Sequence, residues 1–124
     1  MVLEKVYSYK DLKVWQKSRE IVKNIYDISG TFPKEEMYGL TSQIRRAAIS
    51  LPSNIAEGNA RQSRKEYKNF ISIAKGSLAE LETQLILSVD LGYVTEEKLS
   101  NIFSKINELE RMLYSLRKSL EDNT

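Results

Sequence analysis

The sequence predicts an all-α protein, an antiparallel up-down-up-down four-helix bundle. Three observations carry that prediction. Apolar residues recur at intervals of three and four along four separate stretches, the period of a helix with one buried face. Glycine and proline are scarce, five and two residues, and Gly30, Pro33, Gly39, Gly58 and Gly92 mark breaks between the stretches. The connections are short, and short connections between long amphipathic helices force antiparallel neighbours. No strand-like alternation competes with this pattern.

An arm, residues 1–10, precedes a first helix expected over about 11–29. Val14, Ile21, Ile25 and Ile28 form one apolar row, with Leu12, Trp15, Val22 and Tyr26 beside it. Gly30, Phe32 and Pro33 end the helix. The second helix is expected over about 35–58, opening on Glu35 and Glu36, whose charges suit a helix N-terminus, and closing on Gly58 as its C′ residue. Its stripe is Leu40, Ile44, Ala47, Leu51 and Ile55, yet Pro52 lies inside it. A proline there removes a donor and crowds the carbonyl of Ala48, at a cost of ~3 kcal/mol or more, so a kink is expected. Small residues around it (Ala47, Ala48, Ser50, Ser53, Ala56) let another helix approach, and the serine hydroxyls can bond carbonyls the proline frees.

The third helix, expected over about 63–91, opens with the capping-box pattern Ser63-Arg-Lys-Glu66. Tyr67, Ile71, Ala74, Leu78, Leu81 and Leu85 then alternate steps of four and three before Gly92. The fourth, expected over about 95–121, has Thr95 as N-cap and Glu96 and Glu97 in its first turn. Leu99, Ile102, Ile106, Leu109, Leu113, Leu116 and Leu120 line its apolar face. Each of these two helices is ~36 Å long or more at 1.5 Å per residue.

The 124 residues make one domain, 1–124, large enough for a single hydrophobic core. At 41% hydrophobic and 29% charged, the chain reads as an ordinary folded protein. No apolar run approaches the ~20 residues that cross a bilayer, and Met1-Val-Leu-Glu-Lys lacks signal-peptide features. A cytoplasmic location without a membrane partner is expected. Cysteine and histidine are both absent, which excludes disulfides, thiolate chemistry, Cys or His metal ligands and histidine general bases. The Glu-x-x-His pairs of helical di-metal sites are excluded with them. Carboxylate pairs, lysine and tyrosine show no diagnostic spacing, so no catalytic residue, cofactor, metal or small-molecule substrate is expected.

Net charge is only +2, but it is unevenly spread. Residues 1–75 hold 14 Lys and Arg against 8 Asp and Glu, and residues 76–124 hold 5 against 9. Such a map suits polyanion binding by one part of the surface, subunits meeting positive face to negative face, or two solvated faces.

Three segments carry a family resemblance: Tyr9-Lys-Asp-Leu-Lys-Val-Trp-Gln16, the run from Gly39 to Gly58 with its Pro-Ser-Asn-Ile-Ala-Glu-Gly, and Gly76-Ser-Leu-Ala-Glu-Leu-Glu-Thr-Gln-Leu85. Leu91-Gly-Tyr93 adds a fourth. Over nearly its whole length the chain resembles the four-helix-bundle proteins found as reading frames in intervening sequences of 23S rRNA genes in bacteria. The resemblance implies a ring-shaped homopentamer. It extends to accessory proteins of diversity-generating retroelements, which act with a reverse transcriptase and bind nucleic acid through a basic surface. It implies no catalytic residues, and the word "ribosomal" attached to such proteins reflects gene location.

Arg61, Arg64, Lys65 and Lys68, with Lys75 two turns on, form a candidate nucleic-acid-binding patch. Arg45 and Arg46 differ by ~100° around their helix and point to different environments. Arg45 is the outward candidate for phosphate. Arg46 is the candidate for a partly buried network with Glu57 or Glu80, beside Pro52 and with Asn54, whose amide either satisfies the interrupted backbone or sets helix register. Tyr7, Tyr9 and Trp15 are candidate oligomer contacts, since an aromatic arm has no place in the four-helix pattern. Two functions fit: a homo-oligomeric bundle offering a basic surface to RNA or DNA, and an assembly or protein-interaction scaffold with no nucleic-acid role.

Overall fold

The computed structural model describes residues 8–121. Four helices carry the fold: α1 (Lys13–Ser29), α2 (Leu40–Ala60), α3 (Arg64–Asp90) and α4 (Glu96–Ser119), with 3-10 turns at Tyr9–Asp11 and Lys34–Glu36. There is no strand among the described residues. Each helix packs on two neighbours, in the cyclic order α1, α2, α3, α4, and the backbones of the diagonal pairs stay apart across the shared core. The enclosed core is aliphatic, with Ile21, Ile25, Ile44, Leu51, Ile55, Ile71, Leu81, Leu85, Leu99, Ile106 and Leu109 all fully buried. These are the apolar rows of the four stripes, facing inward because burial of their surface drives the assembly. None of the described helices is long and apolar enough to cross a membrane.

Polar contacts across the seams fix the register. Lys17 pairs with Glu108 at 2.8 Å, while Lys105 reaches Glu20 at 3.5 Å and Asn24 at 2.9 Å. The partners climb α1 as they descend α4, so these two helices are antiparallel. Arg117 Nε donates to Ser72 Oγ at 2.7 Å, and Lys75 lies over the Tyr114 ring, which sets α3 and α4 antiparallel as well. With their acidic members about half exposed, such pairs align the helices more than they stabilise them.

Caps explain most boundaries. Ser63 Oγ accepts from the Glu66 amide at 3.0 Å and Thr95 Oγ1 from the Lys98 amide at 3.3 Å. In the Ser63–Glu66 pattern, however, the glutamate takes the serine hydroxyl at 3.3 Å. The reciprocal capping box stands instead at Ser8–Asp11. Helix α3 ends in a Schellman turn: Gly92 sits at φ 77°, its amide bonds Val89 O, and the Tyr93 amide bonds Ser88 O, both at 2.9 Å.

Helix α2 departs from the sequence expectation at both ends. Residues 34–36 form a separate 3-10 turn, and the helix begins only at Leu40. Glu36 caps it from outside, one carboxylate oxygen accepting the Leu40 amide at 3.0 Å and the other the Tyr93 hydroxyl at 2.6 Å. The Tyr93 hydroxyl first, and the Leu40 amide second, hold the Glu36 pKa below the ordinary carboxylate value. One side chain thus ties the start of α2 to the α3–α4 connection. The helix continues through Pro52 to Ala60. Near the proline, Ser50 Oγ donates to Ala47 O at 2.7 Å and Asn54 Nδ2 to Ser50 O at 2.8 Å, so neither bonds the Ala48 carbonyl.

Gly58 is not a helix terminator. It is buried inside α2, where an added Cβ would stand 2.7 Å from Phe70 Cβ and 3.1 Å from Tyr67 Cδ1. The missing side chain is what lets α2 and α3 approach here. Gly58→Ala is therefore expected to lower the unfolding free energy by about 1–2 kcal/mol in urea titration, because overpacking outweighs the gain in helix propensity. Gly76→Ala in α3, where nothing lies within 4 Å of an added Cβ, raises it by about 0.5–1 kcal/mol.

Candidate nucleic-acid interface

The first turns of α3 carry Arg64, Lys65 and Lys68. The helix dipole gives no reason for cations there, since its positive end disfavours them. Antiparallel packing brings the last turns of α4 alongside, with Arg117 and Lys118 at the negative end of that helix, where cations are favoured. Arg64, Lys65, Lys68, Asn69 and Leu120 line a concavity of about 640 Å³ between the two helix ends. Along the same seam Tyr114 stands exposed, with Lys75 Nζ 5.3 Å and Lys118 Nζ 5.9 Å from its ring centre. Arg111 lies beside it, in a concavity shared with Lys75, Glu110, Tyr114 and Ser115. The α3–α4 seam thus carries a basic strip, in which Glu121 meets Arg117 at 3.8 Å and Glu110 lines the concavity beside Tyr114.

The structure divides the basic residues singled out in the sequence. Arg64, Lys65 and Lys68 share one concavity, and Lys75 lies further along the strip. Arg61 is turned elsewhere: its guanidinium pairs with Glu57 at 2.8 Å and lies 4.9 Å from the centre of the Phe70 ring. Arg45 points not to solvent but onto α1. Its Nε donates to Ser29 Oγ at 2.8 Å, Nη2 to Tyr26 O at 3.4 Å, and the guanidinium lies 4.4 Å from the centre of the Tyr26 ring.

The expected network around Arg46 is corrected in the same way. Arg46 is exposed, Glu57 is taken by Arg61, and Glu80 is exposed on α3. The two arginines do point to different environments, but their roles are exchanged, because α1 packs on the side of α2 that carries Arg45. Pro52 and Asn54 are half-buried, and the Asn54 amide serves the backbone one turn back. Tyr9 and Trp15 meet edge-on with ring centres 5.3 Å apart, and Arg19 lies 5.5 Å from the centre of the indole ring. The described end of the arm therefore packs on its own helix. Tyr7 lies outside the described residues.

Sequence reasoning missed Tyr114, Arg117 and Lys118. Their one signal was Arg117 and Lys118 at the dipole-favoured end of α4, and the acidic balance of residues 76–124 masked it. A second exposed cluster surrounds a concavity of about 620 Å³ on α2 and its approach, lined by Tyr26, Met37, Tyr38, Arg46 and Ile49 among others.

Comparison with known proteins gives the chain relatives. Residues 10–115 match the family described as 23S rRNA-intervening sequence protein. A crystal structure of a protein of unknown function from the S23 ribosomal protein family of Bacteroides thetaiotaomicron VPI-5482 superposes with a TM-score of 0.78 at 28% identity, covering 85% of this chain and 98% of that one. No curated protein matches the chain.

The placement of the two arginines has a measurable consequence. Arg45→Ala removes a side-chain hydrogen bond and a cation–π contact, and is expected to cost about 1–2 kcal/mol of unfolding free energy. Arg46→Ala stays within about 0.5 kcal/mol in the same denaturant titration, as exposed substitutions do.

Proposed function

The chain belongs to the 23S rRNA-intervening sequence protein family, and we propose that it is a non-enzymatic, self-associating bundle that binds RNA or DNA along the α3–α4 strip. The observation that carries this reading is the gathering of first-turn cations of α3 (Arg64, Lys65, Lys68) in one concavity against the Leu120 end of α4, continued along the seam by Lys75 and Lys118 beside Tyr114. Phosphates of the backbone meet Lys and Arg side chains there and release counterions, without base-edge readout. Arg45, Arg61 and Arg117 drop out of the binding set, since all three have partners within the chain. The non-catalytic part rests on the absence of Cys and His.

Anisotropy of labelled structured RNA and single-stranded DNA, titrated at several salt concentrations, tests the reading. Wild-type affinity should fall steeply with salt. The double variant Lys65→Ala/Lys68→Ala should reduce the log–log slope by about 1.4–1.8, each lost phosphate contact removing about 0.7–0.9. An unchanged slope would remove this strip from the account.

Self-association, with the homopentamer that the family resemblance implies, is favoured by the second cluster. Tyr38 is 97% exposed, Met37 49% and Ile49 43%, all around one concavity. Apolar side chains gathered in this way suit a subunit contact better than solvent. Tyr38→Glu/Ile49→Glu should lower the mass measured by light scattering to that of a single chain, while leaving the helical circular dichroism intact. An oligomer that survives both substitutions would place the contact elsewhere.

A further inference from the structure

We infer that Tyr114 is a stacking platform for an unpaired nucleobase, so that the strip takes single-stranded nucleic acid in preference to duplex. The inference rests on the phosphate-binding reading above and adds the substrate class. Its basis is the setting of one side chain. Tyr114 is 56% exposed on α4, outside the apolar core. Lys75 reaches its ring from α3, and Lys118 from one turn further along α4.

Two concavities flank the ring. One, of about 410 Å³, is bounded by Lys75, Glu110, Arg111, Tyr114 and Ser115. The other, of about 90 Å³, is bounded by Lys75, Tyr114, Arg117, Lys118 and Glu121. Tyr114 and Lys75 belong to both, so the ring is the ridge between them. The larger concavity has room for a base and its sugar; a base stacking there displaces the Lys75 ammonium from over the ring and leaves that cation for an adjoining phosphate.

A subunit contact explains this setting less well. Burying the ring against another protein would also desolvate Lys75, Lys118 and Arg117, and interface cores are depleted in lysine. The exposed Tyr38 differs here, because its neighbours Met37 and Ile49 are apolar, Arg45 is held on α1, and the one exposed cation beside it is Arg46, a residue type that interfaces favour where they deplete lysine. A duplex would engage only the cations, because its bases are already stacked on one another. A single strand would engage cations and ring together, as sequence-tolerant single-strand binders do.

The test compares a short unstructured oligo-U strand with a blunt duplex of equal length, by anisotropy at one low salt concentration. The proteins are wild type, Tyr114→Phe, Tyr114→Ala and Tyr114→Lys. Wild type and Tyr114→Phe should prefer the single strand. Tyr114→Ala should lose about ten-fold or more on the single strand, with duplex affinity unchanged. Tyr114→Lys separates the two effects, since it adds charge but removes the ring: stacking predicts weaker single-strand binding, and charge alone predicts tighter. The side chain lies outside the core, so all three variants should keep the wild-type thermal midpoint. If Tyr114→Ala and Tyr114→Lys match or exceed wild type on the single strand while Lys65→Ala/Lys68→Ala loses affinity, stacking is overturned and the phosphate reading stands. If wild type binds neither probe at low salt, both fall.

Discussion

The close approach of α2 and α3 at Gly58 is the constraint from which the candidate interface follows. A glycine deep in a helix costs propensity, and here the missing Cβ is the space that Phe70 and Tyr67 occupy. The chain then turns within residues 61–63, and Ser63 caps α3 at once. This leaves little freedom in where Arg64, Lys65 and Lys68 emerge. Core packing then fixes α3 against α4, and the Arg117–Ser72 hydrogen bond marks the register of the two. The basic strip is thus a consequence of helix packing rather than of any local motif.

The cations of this chain fall into two groups by what surrounds them. Arg45, Arg61, Arg117, Lys17 and Lys105 have partners in the fold: a serine hydroxyl and a tyrosine ring, a glutamate one turn away, a serine on α3 with a glutamate one turn on, and acidic or amide groups across the α1–α4 seam. Their positive ends are occupied, and their value lies in alignment. Arg64, Lys65, Lys68, Lys75 and Lys118 have no carboxylate within ion-pair distance among the described residues. A cluster of cations facing water repels itself unless counterions or a polyanion gather there. That difference separates a structural charge from one available to a ligand.

Family membership and the shared fold of a protein of unknown function do not specify a ligand. The geometry narrows the choice. The strip is long, open and cationic with a single aromatic ridge, which suits an extended anionic chain better than a compact metabolite. The apolar cluster around Tyr38 lies on α2 and its approach, with no residue in common with the strip, so assembly and ligand binding need not compete for the same side chains.

The sequence by itself determined the four helices, their apolar faces and most of their caps, because periodicity and capping are set within a few residues of chain. Ser63, Thr95 and Gly92 act where their local chemistry places them. It did not determine where α2 begins, since the cap is a glutamate braced by Tyr93, 57 residues away in the chain. Nor did it reveal Gly58 as a packing residue, because a glycine followed by polar residues reads locally as a helix end. The Arg45–Arg46 pair shows the limit most plainly. Helical geometry separated their directions, but only the placement of α1 decided which of them turned inward. The strip followed the same rule: its α3 half was visible as a run of cations, while Tyr114, Arg117 and Lys118 joined it only through the antiparallel register of two helices. Local sequence sets what each helix offers on each face, and the packing of distant helices decides which faces meet and which remain open to a partner.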